Sequence, residues 1–418
     1  MLATSKHIVI VNYDFPPNDG IGGRRWAFIA REFANRNYHV HVIKADSLPD
    51  KNNSVWKEEV VHENIHVHSL PRKFPSIIGK IPSNILQKLE YRIALRKLKK
   101  RHKGTPYDIS LGWDEKLVQK LDELQVQTSF TWVFATGSPW NLLKVIAQWK
   151  QNKSGVKFWA DLRDPWLKAT NYGIPALDYQ KKTEENDKAF MVYRYAEVLS
   201  APYQEILDEF NVFERSVNRS AQRILLPHFH CASNVTRQHS QTKQSNLHLV
   251  YAGEIYLGAE QFFKKICDDL GALKISNEEV YHQIRISIFA PNFKKIEPLI
   301  EGLEHVHAQG SIGKEIENVI READYCMLVP AEHNKDFLTT KYFEFQAFGT
   351  PYLVCGARGK VLQTVIQENR GYSWDEFVTE VKDQGIEATK KFTQEASAQD
   401  HVSQRVDFIE RIMTERKP

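Results

Sequence analysis

Short β-branched runs bounded by turn formers, each followed by apolar residues at helical spacing, constrain this chain more than anything else in it. "HIVIV" (His7–Val11) reads as a buried strand, "RRWAFIAREFANRN" places Trp26, Ile29, Ala30 and Phe33 on one helical face, and "YHVHVIKAD" reads as the next strand. The pattern returns in "FTWVFATG", a helix from about Asn141, "VKFWADLRD", a helix from about Asp178, and "YAEVLSAP". Strands separated by helices pair in parallel, because a parallel neighbour needs a long crossover, so the expected class is α/β with a doubly wound sheet. A second series begins near "RILLPHFHCA" and runs through "NLHLVYAGE", "GAEQFFKKICDDLGAL", "IRISIFAP", "HVHAQGSI", "KEIENVIREA", "DYCMLVPA", "TKYFEFQAFG" and "TPYLVCGA". Two Rossmann-like domains follow, 1–224 and 225–397, a count that suits 418 residues. In the closing stretch 398–418, Val402, Val406, Phe408, Ile409, Ile412 and Met413 recur at helical spacing, an apolar face expected to pack back on the first domain.

A formal net charge of +4 gives no global reason for nucleic-acid binding. Cys231, Cys267, Cys326 and Cys355 form no C-x-x-C pair, so the chain carries neither a zinc-ribbon signature nor a disulfide framework, and a reducing compartment fits. "HIVIV" is too short for a secretory or spanning segment, and no run approaches the ~18 apolar residues of a membrane helix. The expected location is cytoplasmic, with one candidate for peripheral contact. Residues 72–103 hold eleven Lys or Arg against the single acid Glu90, while Ile81, Ile85, Leu89 and Ile93 recur every four residues. Such a helix either lies on an anionic membrane or packs its apolar stripe on the domain with its charges solvated.

In doubly wound sheets ligands bind beyond the carboxyl ends of the strands, which is where "NYDFPPNDGIGG", "ATGSPW" and "DLRDPW" fall. Gly20, Gly22 and Gly23 sit between a strand and a helix, where backbone N–H groups can approach a phosphate, and Arg24 and Arg25 would add bidentate charge; the plainer reading is a flexible turn with solvated arginines. A dinucleotide fingerprint fails because Arg25 stands where its third glycine belongs, leaving Asp46 as the remaining echo of a nicotinamide site. In "DLRDPW", Arg163 and Asp164 stand at the expected crevice to meet a ligand, or else pair only to fix the turn. Thr136, Gly137 and Ser138 offer donors at the same end, or form an ordinary turn. In residues 335–356 the acids Asp336 and Glu344 are separated by seven residues and followed by "FGTP". They can accept hydrogen bonds from sugar or ribose hydroxyls while N–H groups of Leu338 to Lys341 face a phosphate or sugar; alternatively Asp336 or Thr339 caps a helix and Glu344 favours its first turn. His228-x-His230-Cys231 and the group His62, His66, His68 lack third and fourth metal ligands nearby and read as solvated or locally bonded, and there is no D-x-D motif.

Taken together, the Gly-rich loop after the first strand, the paired acids with their "FGTP" ending, and loops like "FPPNDGIGGRRW", "ATGSPW" and "ADLRDPW" resemble the retaining glycosyltransferases of family 4, in particular a branch of bacterial surface-polysaccharide biosynthesis. The resemblance implies the GT-B fold, two Rossmann-like domains facing across a cleft, and covers nearly the whole chain. It implies that Gly22 and Gly23 approach the donor diphosphate, that Glu344 holds the ribose, and that Asp336 binds the transferred sugar. Leu338, Thr339 and Thr340 would line that sugar, and Gly310, Ser311 and Ile312 would flank the base. Two departures stand out: Asp336 replaces a glutamate, and Glu254 and Ala259 occupy places where relatives carry basic residues for the diphosphate. By chemistry Arg24, Arg25, Lys294, Lys295 and Lys341 are the substitutes, with Lys341 foremost for its place in the motif. The reaction implied moves a sugar from a nucleotide diphosphate sugar to a hydroxyl of a glycan or lipid-linked acceptor, without metal or other cofactor. Asp336, Lys341, Arg24 and Asp164 are the candidate catalytic groups, and Thr136, Gly137, Ser138 and Arg163 the acceptor contacts. The alternatives are a catalytically silent GT-B protein that binds a nucleotide sugar or glycan within an assembly, and a sugar-nucleotide epimerase.

Overall fold

The computed structural model describes residues 6–18, 21–47, 54, 56–80, 82–169, 172–217, 221–229, 246–256, 258–329, 339–356, 359, 363, 371–389 and 401–415. The chain divides into one unit of Met1–Pro227 with Arg405–Pro418 and a second of His228–Gln404.

In the first unit, strands β1 (Lys6–Val11), β2 (Tyr38–Ala45), β3 (Ile65–Leu70), β4 (Trp132–Gly137), β5 (Lys157–Leu162), β6 (Val198–Ala201) and β7 (Gln222–Leu225) form one sheet in the order 3-2-1-4-5-6-7. Every pairing is parallel. β1 and β4 are neighbours, so the chain reverses its winding between them, and the loops after both strands open at that switch point. The central strands are buried on both faces, as parallel strands covered by helices must be: Val9, Val133 and Phe158 on one face and Ile10, Phe134 and Trp159 on the other are at most 1% exposed. Two strands differ from the sequence expectation. "IHVHSL" is β3, an edge strand whose alternating histidines disguise it, and "QRIL" is β7 of the first sheet, so the first unit runs on through Pro227.

The second unit repeats the architecture with β8 (Leu247–Ala252), β9 (Ile284–Phe289), β10 (Val306–Gln309), β11 (Tyr325–Leu328), β12 (Tyr352–Val354) and β13 (Gly371–Ser373), ordered 10-9-8-11-12-13 and parallel throughout. Its switch point lies between β8 and β11. The closing helix His401–Thr414 buries Val402, Val406, Ile409 and Ile412 and meets the first unit through Arg36, whose Nη1 donates to Asp407 (2.6 Å) and Glu410 (2.7 Å).

Candidate functional site

In the first unit the three loops expected at the carboxyl end of the sheet do converge. Asn12, just past β1 and 1% exposed, ties the start of its loop to the end: its Nδ2 donates to Gly22 O (3.3 Å) and its Oδ1 accepts from Asp14 N–H (3.1 Å). The loop closes in a 3-10 turn, Ile21–Gly23, that leads into the helix Arg24–Asn35 without a side-chain cap. Gly23 is needed for space against the backbone, whereas Gly22 abuts the end of a side chain. A Cβ on Gly23 would lie 2.3 Å from the Asp14 carbonyl oxygen, and one on Gly22 would lie 2.1 Å from Arg163 Nη1. Gly22 therefore touches the loop after β5, and that loop touches the loop after β4: Arg163 Nη2 donates to Ser138 Oγ (3.0 Å), while Asp164 Oδ2 accepts from Ser138 Oγ (2.9 Å), Arg163 Nε (3.0 Å) and Arg163 Nη2 (2.8 Å). Burial works against the Arg163 charge, but the Asp164 carboxylate and its hydrogen bonds hold the guanidinium above its ordinary pKa. With side chains 23% and 41% exposed, Arg163 and Asp164 remain open to a ligand. Tyr172, hydrogen-bonded to Ser138, has its phenol pushed up by burial and stays a neutral donor.

The two arginines after the glycines turn inward instead of presenting charge. Arg25 is 6% exposed and its Nη2 donates to Asp161 Oδ1 (3.1 Å) and to Leu226 O (2.7 Å). Asp161, fully buried at the end of β5, also accepts from Ser200 Oγ (2.6 Å), Trp26 Nε1 (2.8 Å) and Thr136 Oγ1 (3.5 Å). A carboxylate sealed from water needs a cation, and Arg25 serves as that counter-ion. Arg24 lies over the rings of Trp56 (4.5 Å) and Phe28 (6.0 Å), a cation–π stack in an apolar wall. Thr136 faces Asp161 rather than the loops' open side.

Several residues that hold these loops gave no signal in the sequence motifs. Asp108, 2% exposed, accepts from the N–H groups of Trp140 (2.7 Å) and Asn141 (2.8 Å), so it caps the helix Asn141–Lys150 that follows "ATGSPW". Glu209 accepts from the N–H groups of Trp166 (2.9 Å) and Leu167 (2.8 Å) and so clamps "DLRDPW". Asp46, beyond β2, accepts through its backbone carbonyl from Arg72 Nε (2.6 Å) and donates through its N–H to Leu70 O (2.8 Å).

In the second unit the motif helix is Thr340–Phe348, ended by Gly349 in the left-handed conformation (φ 70°). Thr339 precedes it without a side-chain cap bond. Glu344 lies in the second turn rather than the first, and it is 2% exposed, so macrodipole compensation does not explain it. Its Oε2 accepts from Lys341 Nζ at 2.7 Å. The Lys341 stem packs beside Gly253 of the "YAG" turn, where a Cβ would lie 3.5 Å from Lys341 Cε. A cation thus stands at the carboxyl end of β8 although Glu254 and Ala259 are not basic. Asp336 and Leu338 lie outside the described residues. Of the remaining cations, Lys294 is exposed beyond β9, and Lys295 is drawn to Ile255 O (3.3 Å) and Glu260 (3.7 Å). Gly310, Ser311 and Ile312 follow β10 at the same end of the sheet, with open space around Gly310.

The histidines also differ from expectation. His62 accepts a local bond from Asn64 N–H (3.1 Å), but His66 and His68 join His7, His39 and His41 in an array across β1, β2 and β3. His230 and Cys231 lie outside the described residues.

No protein-family profile matches the chain, and no curated protein matches it in sequence. Solved structures do. A sucrose-phosphate synthase from Thermosynechococcus elongatus aligns over 97% of this chain and 96% of its own at a TM-score of 0.56 and 13% identity. A structure described as trehalose-6-phosphate from E. coli bound with UDP-2-fluoro glucose aligns over 98% of this chain and 100% of its own at a TM-score of 0.60 and 11% identity. WaaG, described as a glycosyltransferase involved in lipopolysaccharide biosynthesis, aligns over 97% and 99% at 0.54 and 13%. The chain has the GT-B fold. The likeness extends through both Rossmann-like units, and the loops after β1, β4, β5, β8 and β10 lie at the carboxyl ends of their strands.

Proposed function

We propose that this GT-B protein transfers a sugar from a nucleotide diphosphate sugar to a hydroxyl of a glycan or lipid-linked acceptor, with retention of configuration, in the synthesis of a cell-surface polysaccharide. The observation that carries the proposal is the Lys341–Glu344 pair beside the "YAG" turn. A buried carboxylate in the second turn of a helix is the kind of group that accepts from a ribose diol, and the ammonium beside it is placed to neutralise a departing diphosphate. Retaining transfer of this kind needs no enzyme nucleophile: the leaving phosphate takes the proton of the incoming hydroxyl on the same face of the sugar. The protein's part is positioning and charge. On the first unit, Ser138, Arg163 and Asp164 are the groups that orient the acceptor.

Thermal shift with UDP, GDP, ADP and CDP sugars tests the donor assignment. One nucleotide class at a hundredfold excess over its Kd should stabilise the protein by about 3 kcal/mol, and Glu344→Gln should remove that response while leaving the ligand-free transition near the wild-type value. No response to any of the four, or an equal response in Glu344→Gln, overturns it. Stabilisation without sugar transfer to any acceptor would favour the silent binding protein.

We also propose that the acceptor is met at a membrane surface. In the helix Ile85–Arg101, Ile85, Leu86, Leu89 and Ile93 are 83%, 76%, 54% and 44% exposed, and Leu98 alone is buried, so the apolar stripe is not packed on the domain. Among the described residues no helix is long and apolar enough to cross a membrane. Exposed Ile and Leu among lysines and arginines match an anionic lipid surface, at roughly 1 kcal/mol per cation. Binding to vesicles of anionic lipid should weaken with salt and fall sharply in Leu86→Glu; equal binding to neutral vesicles would sink the idea.

A further inference from the structure

Two histidine clusters differ in how their rings meet. In the array on β1–β3 neighbouring rings are stacked, His39 on His66 at 7° and His7 on His39 at 21°, and its two close nitrogen pairs, His7 Nδ1 with His41 Nε2 (3.1 Å) and His41 Nδ1 with His68 Nε2 (3.3 Å), use opposite nitrogens of His41 and so do not converge on one ion. His282 and His305 meet at 85° with centroids 5.1 Å apart, and Nδ1 of His282 lies 2.8 Å from Nε2 of His305. Glu304 completes the group: one ligand atom from each of the three lies within 4.8 Å of the other two.

We propose that His282, Glu304 and His305 bind a divalent transition-metal ion of the zinc class, with solvent in the remaining position. Two imidazoles and one carboxylate form a borderline N/O donor set that suits zinc, and not the all-oxygen shell of calcium or magnesium. In tetrahedral geometry with bonds of about 2.0–2.1 Å, two imidazole nitrogens stand about 3.3 Å apart. The observed pair needs to open by only about half an ångström to admit the ion in place of their shared proton.

The backbone around these donors is already built. His282 ends the helix Glu278–His282, whose first turn is capped by Asn277 Oδ1 accepting from Val280 N–H at 3.2 Å. Glu304 and His305 lead into β10, and His305 O accepts from Ile286 N–H of β9 at 2.9 Å. Beside both imidazoles stands Tyr281, 1% exposed, with its ring centroid 5.5 Å from each of theirs. Anchoring both rings on one buried side chain reduces the ordering cost of chelation. The other nitrogen of His282, Nε2, lies 3.6 Å from Glu278 Oε1, the carboxylate support that metal-bound histidines commonly have. One internal competitor is present: Lys274 Nζ sits 2.9 Å from Glu304 Oε1, so an ion either takes the other oxygen or displaces the ammonium. His305 precedes β10 whereas Gly310–Ile312 follow it, so this group lies at the opposite end of the sheet from the loops assigned to the donor. The ion would clip a helix to the β9–β10 edge and take no part in sugar transfer.

Calorimetric titration of the metal-free full chain with Zn2+ tests the assignment, with Co2+ absorption reporting the ligand field. One equivalent should bind, His282→Ala and His305→Ala should each weaken it by at least about tenfold, and Lys274→Met, which removes the competing cation, should tighten it. His66→Asn should leave it unchanged. The three wild-type donors are surface groups whose loss spares the core, so the variants remain folded for comparison. No binding by the wild type, affinity retained in both alanine variants, or affinity lost in His66→Asn instead would overturn the proposal.

Discussion

Asp161→Ala should cost the first unit about 3–5 kcal/mol, because it removes one partner of a fully buried ion pair and strands the other. Four side-chain donors converge on this carboxylate, from Arg25, Trp26, Thr136 and Ser200, and each loses an acceptor where no water replaces it. Burial already pulls the Arg25 guanidinium below its ordinary pKa, with Asp161 acting in the opposite direction, so the variant leaves a desolvated cation without its main compensation. Eight of the nine tryptophans precede Pro227, so urea unfolding followed by tryptophan fluorescence reads the first unit almost selectively. Asp161→Leu combined with Arg25→Met, which removes both charges, should recover much of the loss, since an apolar pair avoids the stranded ion. A single variant within 1 kcal/mol of wild type would show that the pair is not the counter-ion couple described.

Sequence reading reached the fold because its signals were local. β-branched runs, helical spacing and turn formers each act over a few residues, and they placed β1, β2, β4, β5 and β6 and most of the second sheet where the structure has them. It missed β3 because a period of two built from histidine carries little hydrophobic contrast, and it misassigned β7 because four residues, "QRIL", do not reveal which sheet they join. The loops were legible as loops; their internal partners were not. Asp161 and Arg25 are 136 positions apart, and Asp108 caps a helix 33 residues downstream, relations that only packing creates. One signal was available: an acid inside the otherwise apolar strand run "FWADL" is costly unless a cation meets it, and an arginine pair at a helix start was the nearest source. Arg24 and Arg25 therefore read as ligands for a phosphate when one is an ion-pair partner and the other stacks on aromatic rings.

Acidification should unfold the first unit through its histidine array. His41, 8% exposed, has Nε2 3.1 Å from His7 Nδ1 and Nδ1 3.3 Å from His68 Nε2, so both of its nitrogens are engaged by other imidazoles. Burial, with the neighbouring His66, His68, His7 and His39, lowers its pKa to about 3; burial likewise lowers His7 and His68, the latter also facing Lys120 and Glu123. The folded state therefore keeps His41 neutral where the unfolded chain, with an ordinary value of 6.5, takes up a proton. Stability is full above that unfolded pKa and is lost as pH falls from there toward the folded value, and His41 alone should cost about 3 kcal/mol by about pH 4.5. Asp108 and Glu209, whose carboxyls burial holds above their ordinary range, contribute with the opposite sign as pH falls, because the folded state binds their protons more readily. A net loss seen by tryptophan fluorescence thus cannot come from those two acids. In His41→Gln the slope of urea midpoint against pH should flatten between about pH 6.5 and 4.5, whatever the variant's stability at neutral pH. A wild-type midpoint that stays level across that window, or a slope unchanged by the substitution, would mean that the array takes up protons without loss of the fold.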